Sequence, residues 1–257
     1  MPRKKSYANR TFKTDRAVVI DVQPGARSDR KVWFLCRQHG VILCIAPAAR
    51  RPRKTWGGLL SLLTFGNLTY KTSSNHPEWS YLIQFEHPWS PALHQPMTPE
   101  YLRFASYLCE LTRALLSSHE PDSIAFDVFE SLVHRSVENV PLRGLALGWT
   151  WFLLTHLGFI GLSGDCPGCG QSVSAVHTSI TWDAEGHPWH SACRSPRRSM
   201  EYTPTSNEVR YLAALAAHPQ QFPPAAFREL ARHRDLFHYL IRRAQSVAGF
   251  PFRSLEG

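Results

Sequence analysis

Cys166-Pro-Gly-Cys169 and His190-Ser-Ala-Cys193 are separated by twenty residues, and any fold of this chain has to account for them. A two-residue gap lets a tight turn point both side chains of a pair at one ion, and the glycines at 168 and 170 suit such a turn. Between the pairs the sequence predicts a short strand over 172–182, then a turn at Asp183-Ala184-Glu185-Gly186 that folds the second pair back onto the first. Thiolates and imidazole are the ligands that borderline-soft Zn2+ prefers, and four of them close a structural site. Cys166, Cys169, His190 and Cys193 are therefore the expected ligands of one structural zinc ion, with His187 as a rival for the fourth position.

Other readings of the cysteines remain. A redox Cys-x-x-Cys normally follows a strand and opens a helix, whereas Gly161, Gly164 and Asp165 precede this one. A zinc deaminase needs His-x-Glu and then Pro-Cys-x-x-Cys. His76-Pro77-Glu78 supplies the first half, but Asp165 stands where the proline belongs. Reduced cysteine pairs without metal are the plainest alternative. Cys36, Cys44 and Cys109 lie in apolar patterns and read as small core residues. That usage fits a reducing, cytoplasmic setting, and no secretory signal is read at the basic start.

Charge is informative once divided along the chain. Residues 1–56 hold 14 Lys/Arg against 3 Asp/Glu, a balance of +11, while the whole protein carries +9. Residues 57–193 hold 5 against 12, and residues 194–257 hold 10 against 5. A basic surface concentrated at one end is the electrostatic footprint of a phosphate-backbone binder.

The basic end also has β character. Runs at 17–22, 31–37 and 41–46, a longer one at 60–70 and a fifth at 79–85 are rich in β-branched and aromatic residues. In the fifth, alternation places Trp79, Tyr81, Ile83 and Phe85 on one face, with Ser80 and Gln84 opposite. Five such strands predict a small closed barrel of the OB type, although an SH3-like barrel gives nearly the same string. After the third strand, Arg50, Arg51, Arg53 and Lys54 form a basic loop at the barrel rim. OB barrels bind single strands with a cationic groove and aromatic platforms on which bases stack. Lys31 and Arg37 on the second strand join the loop as expected DNA-binding cations, and Trp33, Phe34 or Trp56 as platforms. Strand alternation makes one of Trp33 and Phe34 a core residue.

Helical periodicity begins near Thr98-Pro99-Glu100, a good start signal. Further helices are expected from Pro121-Asp122, from Pro141, over 206–217 and over 224–248. In the last, Phe227, Leu230, Phe237, Leu240, Ile241 and Ala244 are expected to face the core. Residues 144–164 carry no formal charge, but their glycines and polar residues favour the centre of a bundle over a membrane span. The zinc segment is then an insertion between helices of one bundle.

The order of these parts resembles the RecO family of bacterial recombination mediators. Lys13-Thr14, Gly25, Ser28-Asp29-Arg30, His39-Gly40 and Ala46-Pro47-Ala48-Ala49-Arg50-Arg51 with Lys54 carry the resemblance in the barrel. Tyr107-Leu108-Cys109-Glu110-Leu111, 125–129 and Leu153-Leu154 with Leu157-Gly158-Phe159 carry it in the helical part. The turn Gly25-Ala26-Arg27-Ser28-Asp29 is one residue longer than the family's, with arginine in place of its acid, and Pro47-Ala48 replaces a basic residue and glycine. The third metal position, often cysteine, matches His190.

The resemblance implies a non-enzymatic α+β protein. It would bind single- and double-stranded DNA, anneal complementary strands and engage the C-terminal tail of single-strand-binding protein. With RecR it would promote RecA loading, placing it in the cytoplasm with the nucleoid. The expected parts are a basic tail at 1–13, an OB barrel at 14–90, a helical bundle from 91–160 and 200–250, and a zinc-binding insertion at 161–199. The competing function is a zinc-ribbon protein of transcription or RNA metabolism, whose ribbon would itself contact nucleic acid.

Overall fold

Ala17, Val19, Val32, Phe34, Ile42, Cys44, Leu68 and Tyr70 alternate along their strands with residues of another face, and in the computed structural model they share one core. The structure describes residues 12–50, 59–72, 79–174, 179–193 and 200–255. The strands that enclose this core are β1 (Phe12–Pro24), β2 (Arg30–Cys36), β3 (Gly40–Ala46), β4 (Phe65–Thr72) and β5 (Ser80–Trp89). They close in the order β1-β2-β3-β5-β4, with β4 also paired to β1. Only the β3–β5 pairing is parallel. This is the OB-type barrel expected from the sequence.

The fifth strand departs from simple alternation. Ser80 and Leu82 are buried while Tyr81 and Ile83 are not. A register irregularity opposite Thr69 and Tyr70 then resets the phase, so Phe85 turns inward against Phe34 at 5.4 Å between ring centroids. A bulge adds one unpaired residue and reverses the faces beyond it. The fourth strand is also shorter than expected, because residues 59–63 form turns before Phe65.

By internal contacts the described residues up to Met97 form one compact unit together with Leu116–Asp127, and Thr98–Leu115 with the residues from Val128 form a second. In the first unit, the connector at 116–122 runs beside the start of β3. His119 N–H donates to Val41 O at 3.1 Å, and Val41 bridges Ser118 in parallel. That contact satisfies backbone groups on a part of β3 that β5 does not reach.

The second unit is helical, with a small β module inserted. Its helices are α1 (Pro99–Leu115), α2 (Ser123–Arg135, of which the first five residues count with the barrel), α3 (Leu142–His156), α4 (Ser206–Ala217), α5 (Pro224–Leu230) and α6 (Arg234–Ala248). Helix α3 is buried continuously from Gly144 to Leu154, as a helix apolar on all sides must be. Its polar atoms are satisfied inside: Trp149 Nε1 donates to Thr112 Oγ1, Trp151 Nε1 to Leu212 O, and Thr150 Oγ1 lies 2.7 Å from Tyr107 Oη. Among the described residues no helix is long and apolar enough to cross a membrane.

The single long helix expected over 224–248 is two helices. Ala231 and Arg232 close the first with tight backbone bonds to Phe227 and Glu229, and His233 Nδ1 meets the buried carboxylate of Glu208 at 2.9 Å. No glycine or proline marks this break. In α6, Leu236, Tyr239, Leu240 and Ala244 are fully buried, whereas Phe237 and Ile241 are only half-buried.

The inserted module also breaks its expected strand in two. Strands β6 (Ser163–Asp165) and β7 (Ser172–Ser174) form one hairpin. Strands β8 (Ile180–Asp183), β9 (Pro188–His190) and β10 (Met200–Tyr202) form a second sheet in the order β10-β8-β9.

Candidate nucleic-acid interface and metal centre

The β6–β7 hairpin exists to make a knuckle. Cys166 N–H donates to Gln171 O at 2.9 Å, and Gly170 N–H returns to Cys166 O at 2.8 Å, turning the chain so that both cysteines project from one loop. The second pair comes from the end of β9 and the single helical turn that follows it, Ser191–Cys193. A Cβ on residue 168 would lie 3.0 Å from Cys193 Cβ and 2.9 Å from the Trp189 ring, so only glycine lets the two pairs approach this closely.

The ligand atoms of Cys166, Cys169, His190 and Cys193 all lie within 4.8 Å of one another, and Cys169 Sγ is 3.4 Å from His190 Nδ1. Ligands around a tetrahedral zinc are about 3.3–3.8 Å apart, so this Cys3His donor set fits a zinc ion. Burial raises the Cys166 thiol, but backbone N–H donors of His190, Cys169 and Gly168 outweigh it and bring the group down to about 6. Cys193 is pushed up to about 11, first by its hydrogen bond with Cys169 and then by burial and Cys166. The knuckle thus favours a thiolate at Cys166, and taking up a metal would displace the proton held on Cys193.

His187 belongs to a different constellation. Its Nδ1 lies 3.3 Å from Asp183 Oδ2, which also accepts from Trp189 Nε1 at 2.9 Å. Asp183 Oδ1 takes the backbone N–H groups of Glu185 and His187. Hydrogen bonding thus holds Asp183, whose carboxyl stays below the usual aspartate value despite its burial, and it builds the β8–β9 turn.

The expected DNA-binding residues fall into three groups. Arg51, Arg53, Lys54 and Trp56 lie outside the described residues, as do His76 and Glu78, which a deaminase would use. Arg50, Lys31 and Trp33 lie on the barrel: Arg50 is exposed, Lys31 and Trp33 are half-buried on the outer side of β2, and Phe34 is the core residue of its pair. Arg37 is elsewhere. It grips Asp127 with Nε to Oδ1 at 2.7 Å and an amino nitrogen to Oδ2 at 2.8 Å. It lies six positions along the chain from Lys31, just past the end of β2 and roughly 20 Å away.

At the Lys31 end two loops are laced together. Asp29 Oδ1 accepts from Ala48 N–H at 2.7 Å, and Arg50 N–H donates to Ser28 O at 2.9 Å. The turn between β1 and β2 is itself closed by Gly25 N–H to Asp29 O and Asp29 N–H to Ala26 O, both 3.0 Å. This lacing gathers Arg27, Arg30, Lys31 and Arg50 at one rim. Sequence reasoning missed Arg27 and Arg30. The signal was present in the spacing of Ser28-Asp29, but it needs the bond to Ala48 to become spatial.

Two family models match the chain: the recombination protein O N-terminal model over residues 11–86 and its C-terminal model over residues 98–240. No curated protein matches it. The first match covers the barrel up to the last three residues of β5, and the second covers most of the helical unit, including Cys166, Cys169, His190 and Cys193. The chain belongs to the recombination protein O (RecO) family, DNA-binding proteins of repair by recombination.

Proposed function

We propose that this protein acts in recombinational DNA repair by binding rather than by turning over a substrate. It holds single- and double-stranded DNA on the barrel, brings complementary strands together and engages the C-terminal tail of single-strand-binding protein. With RecR it promotes loading of RecA. Arg50, Arg51, Arg53, Lys54 and Lys31 would contact phosphates, with Trp33 and Trp56 offering stacking surfaces. Zinc at Cys166, Cys169, His190 and Cys193 would be structural.

The observation that carries this reading is the laced rim, where the Asp29–Ala48 and Ser28–Arg50 bonds draw cations from two loops together. Clustered cations neutralise two phosphate backbones at once, which lowers their mutual repulsion and makes binding strongly salt-dependent. Arg37 contributes differently from the rim cations: its bidentate pair with Asp127 joins the end of β2 to the start of α2 within the barrel unit.

The test is strand annealing on DNA coated with single-strand-binding protein, with and without its tail. Annealing that depends on the tail and falls when Arg50, Arg51, Arg53 and Lys54 are neutralised is the expected outcome. Unchanged affinity and salt slope in the neutralised protein would overturn the assignment of the rim.

A further inference from the structure

The register of the barrel sets three residues side by side on its outer surface. Phe12 on β1 pairs with Lys71 on β4, and Lys71 pairs with Tyr81 on β5. Their strand neighbours Tyr70, Ser80 and Leu82 are buried at 1–2 % exposure, so the three side chains belong to the opposite, outward face. Phe12 is 58 % exposed, a large apolar ring at a place where the core makes no demand for one. The Lys71 ammonium sits over the Tyr81 ring, 5.4 Å from its centroid, which holds the cation against that ring on the strand that lies between those of Phe12 and Tyr81.

The row continues toward the laced rim: Tyr81 pairs with Ile45 on β3, and Ile45 with Lys31 on β2. Adjacent strands are about 4.8 Å apart, so Lys31 and Tyr81 are separated by roughly 10 Å across one half-buried isoleucine. A path crossing the strands thus meets a cation, an apolar step, an aromatic, a second cation and a second aromatic.

We propose that Phe12, Lys71 and Tyr81 form a stacking station for the bases of single-stranded nucleic acid, placed where a strand leaves the Lys31 rim across β3 and β5. This rests on the reading that the rim binds DNA. An exposed aromatic beside a fixed cation matches a base next to its phosphate, and the flanking rings can be used only by unpaired bases. The station therefore discriminates single strands from duplex, whereas the rim, which reads charge, binds both.

The test measures the binding of the full-length protein to labelled oligo(dT), to an abasic strand of equal length and to duplex. Phe12→Ala and Tyr81→Ala each weaken oligo(dT) binding about tenfold, with duplex binding held within about twofold. The Phe12→Ala penalty vanishes on the abasic strand. Lys71→Gln lowers the salt slope for the single strand by about 0.7. Tyr81→Phe retains the platform and binds as the parent does, which separates stacking from damage to the fold. Equal losses on single strand and duplex, or no loss on oligo(dT), would overturn the station. A neutralised Arg50 and Arg51 rim that leaves all DNA binding unchanged would instead overturn the underlying reading of the rim.

Discussion

Asp29 offers the sharpest test of the proposal that the barrel binds DNA through the arrangement of its cations rather than their number. Its Oδ1 accepts the Ala48 N–H at 2.7 Å and is the only side-chain bond among the described residues that ties the β1–β2 turn to the loop after β3. Removing it with Asp29→Ala breaks a charge-assisted bond worth about 1.5–3 kcal/mol, and the lower end applies because Asp29 is half-buried. A loss of about 1.5 kcal/mol corresponds to a melting temperature lower by about 3–6 °C for a chain of this size. The electrostatic effect has the opposite sign, since deleting an anion beside Arg27, Arg30 and Arg50 favours any polyanion. Asp29→Asn isolates that effect, because its carbonyl can still accept from Ala48. Fluorescence anisotropy against a labelled oligonucleotide over a salt series should show Asp29→Asn binding more tightly than the parent, and Asp29→Ala more weakly than Asp29→Asn by several-fold. If the alanine variant matches the asparagine variant in affinity and salt slope, the lacing does not organise the cations and the rim is only a sum of charges.

Cys166→Ser or Cys193→Ser should lower zinc content, measured by mass spectrometry of metal, and melting temperature together, with DNA binding lost only as the protein unfolds. His190→Ala should do the same, while His187→Ala, whose imidazole faces Asp183, should keep its full metal content. Arg37→Gln should cost up to about 1 kcal/mol at neutral pH, since both partners are partly exposed. The Arg37 hydrogen bond lowers the Asp127 carboxyl below its ordinary value, so this stability is present above the unfolded value near pH 4 and is lost as pH falls through the folded value. Denaturant titrations of parent and variant should accordingly converge in acid; a gap that persists there would refute the pair. Gly40→Ala should destabilise the barrel by about 2 kcal/mol or more in the same assay, because φ is +68° and a Cβ would lie 2.2 Å from Glu120 O.

How far these features were legible in the sequence depends on whether their determinants are local. The clustering of Cys166, Cys169, His190 and Cys193 was legible because each pair is held two residues apart in a short turn, and thiolates with an imidazole form a donor set that suits one ion. The barrel was legible because Val32, Phe34 and Cys36 in β2, like Leu68 and Tyr70 in β4, repeat at every second position. The break between α5 and α6 was not, because what marks it is the contact of His233 with Glu208, twenty-five positions away. Arg37 looked like one more cation of the basic end, and only the approach of Asp127 reveals its partner. The phase of β5 was misread for a related reason: a bulge carries no residue signature, and Phe85 is apolar on either face.

The packing of the inserted β module bears on its role independently of any metal. Trp182 on β8 stacks on Tyr239 of α6 with ring centroids 5.7 Å apart and planes 5° from parallel, and its Nε1 donates to Gly161 O at 2.8 Å. Tyr239 Oη donates to Asp183 O at 3.0 Å, and Arg243 donates from two nitrogens to Phe159 O at 3.2 Å. A ribbon that reads nucleic acid needs a face turned outward, yet Ile180, Thr181, Trp182 and Asp183 of the central strand are all buried. Closing the cluster fixes β9 beside β8, and β8 in turn presents Trp182 to the core made by α3 and α6 through Trp151 and Tyr239. The metal would therefore stabilise the helical unit through its aromatic core. Loss of the metal should reach DNA binding only indirectly, through the stability of that core.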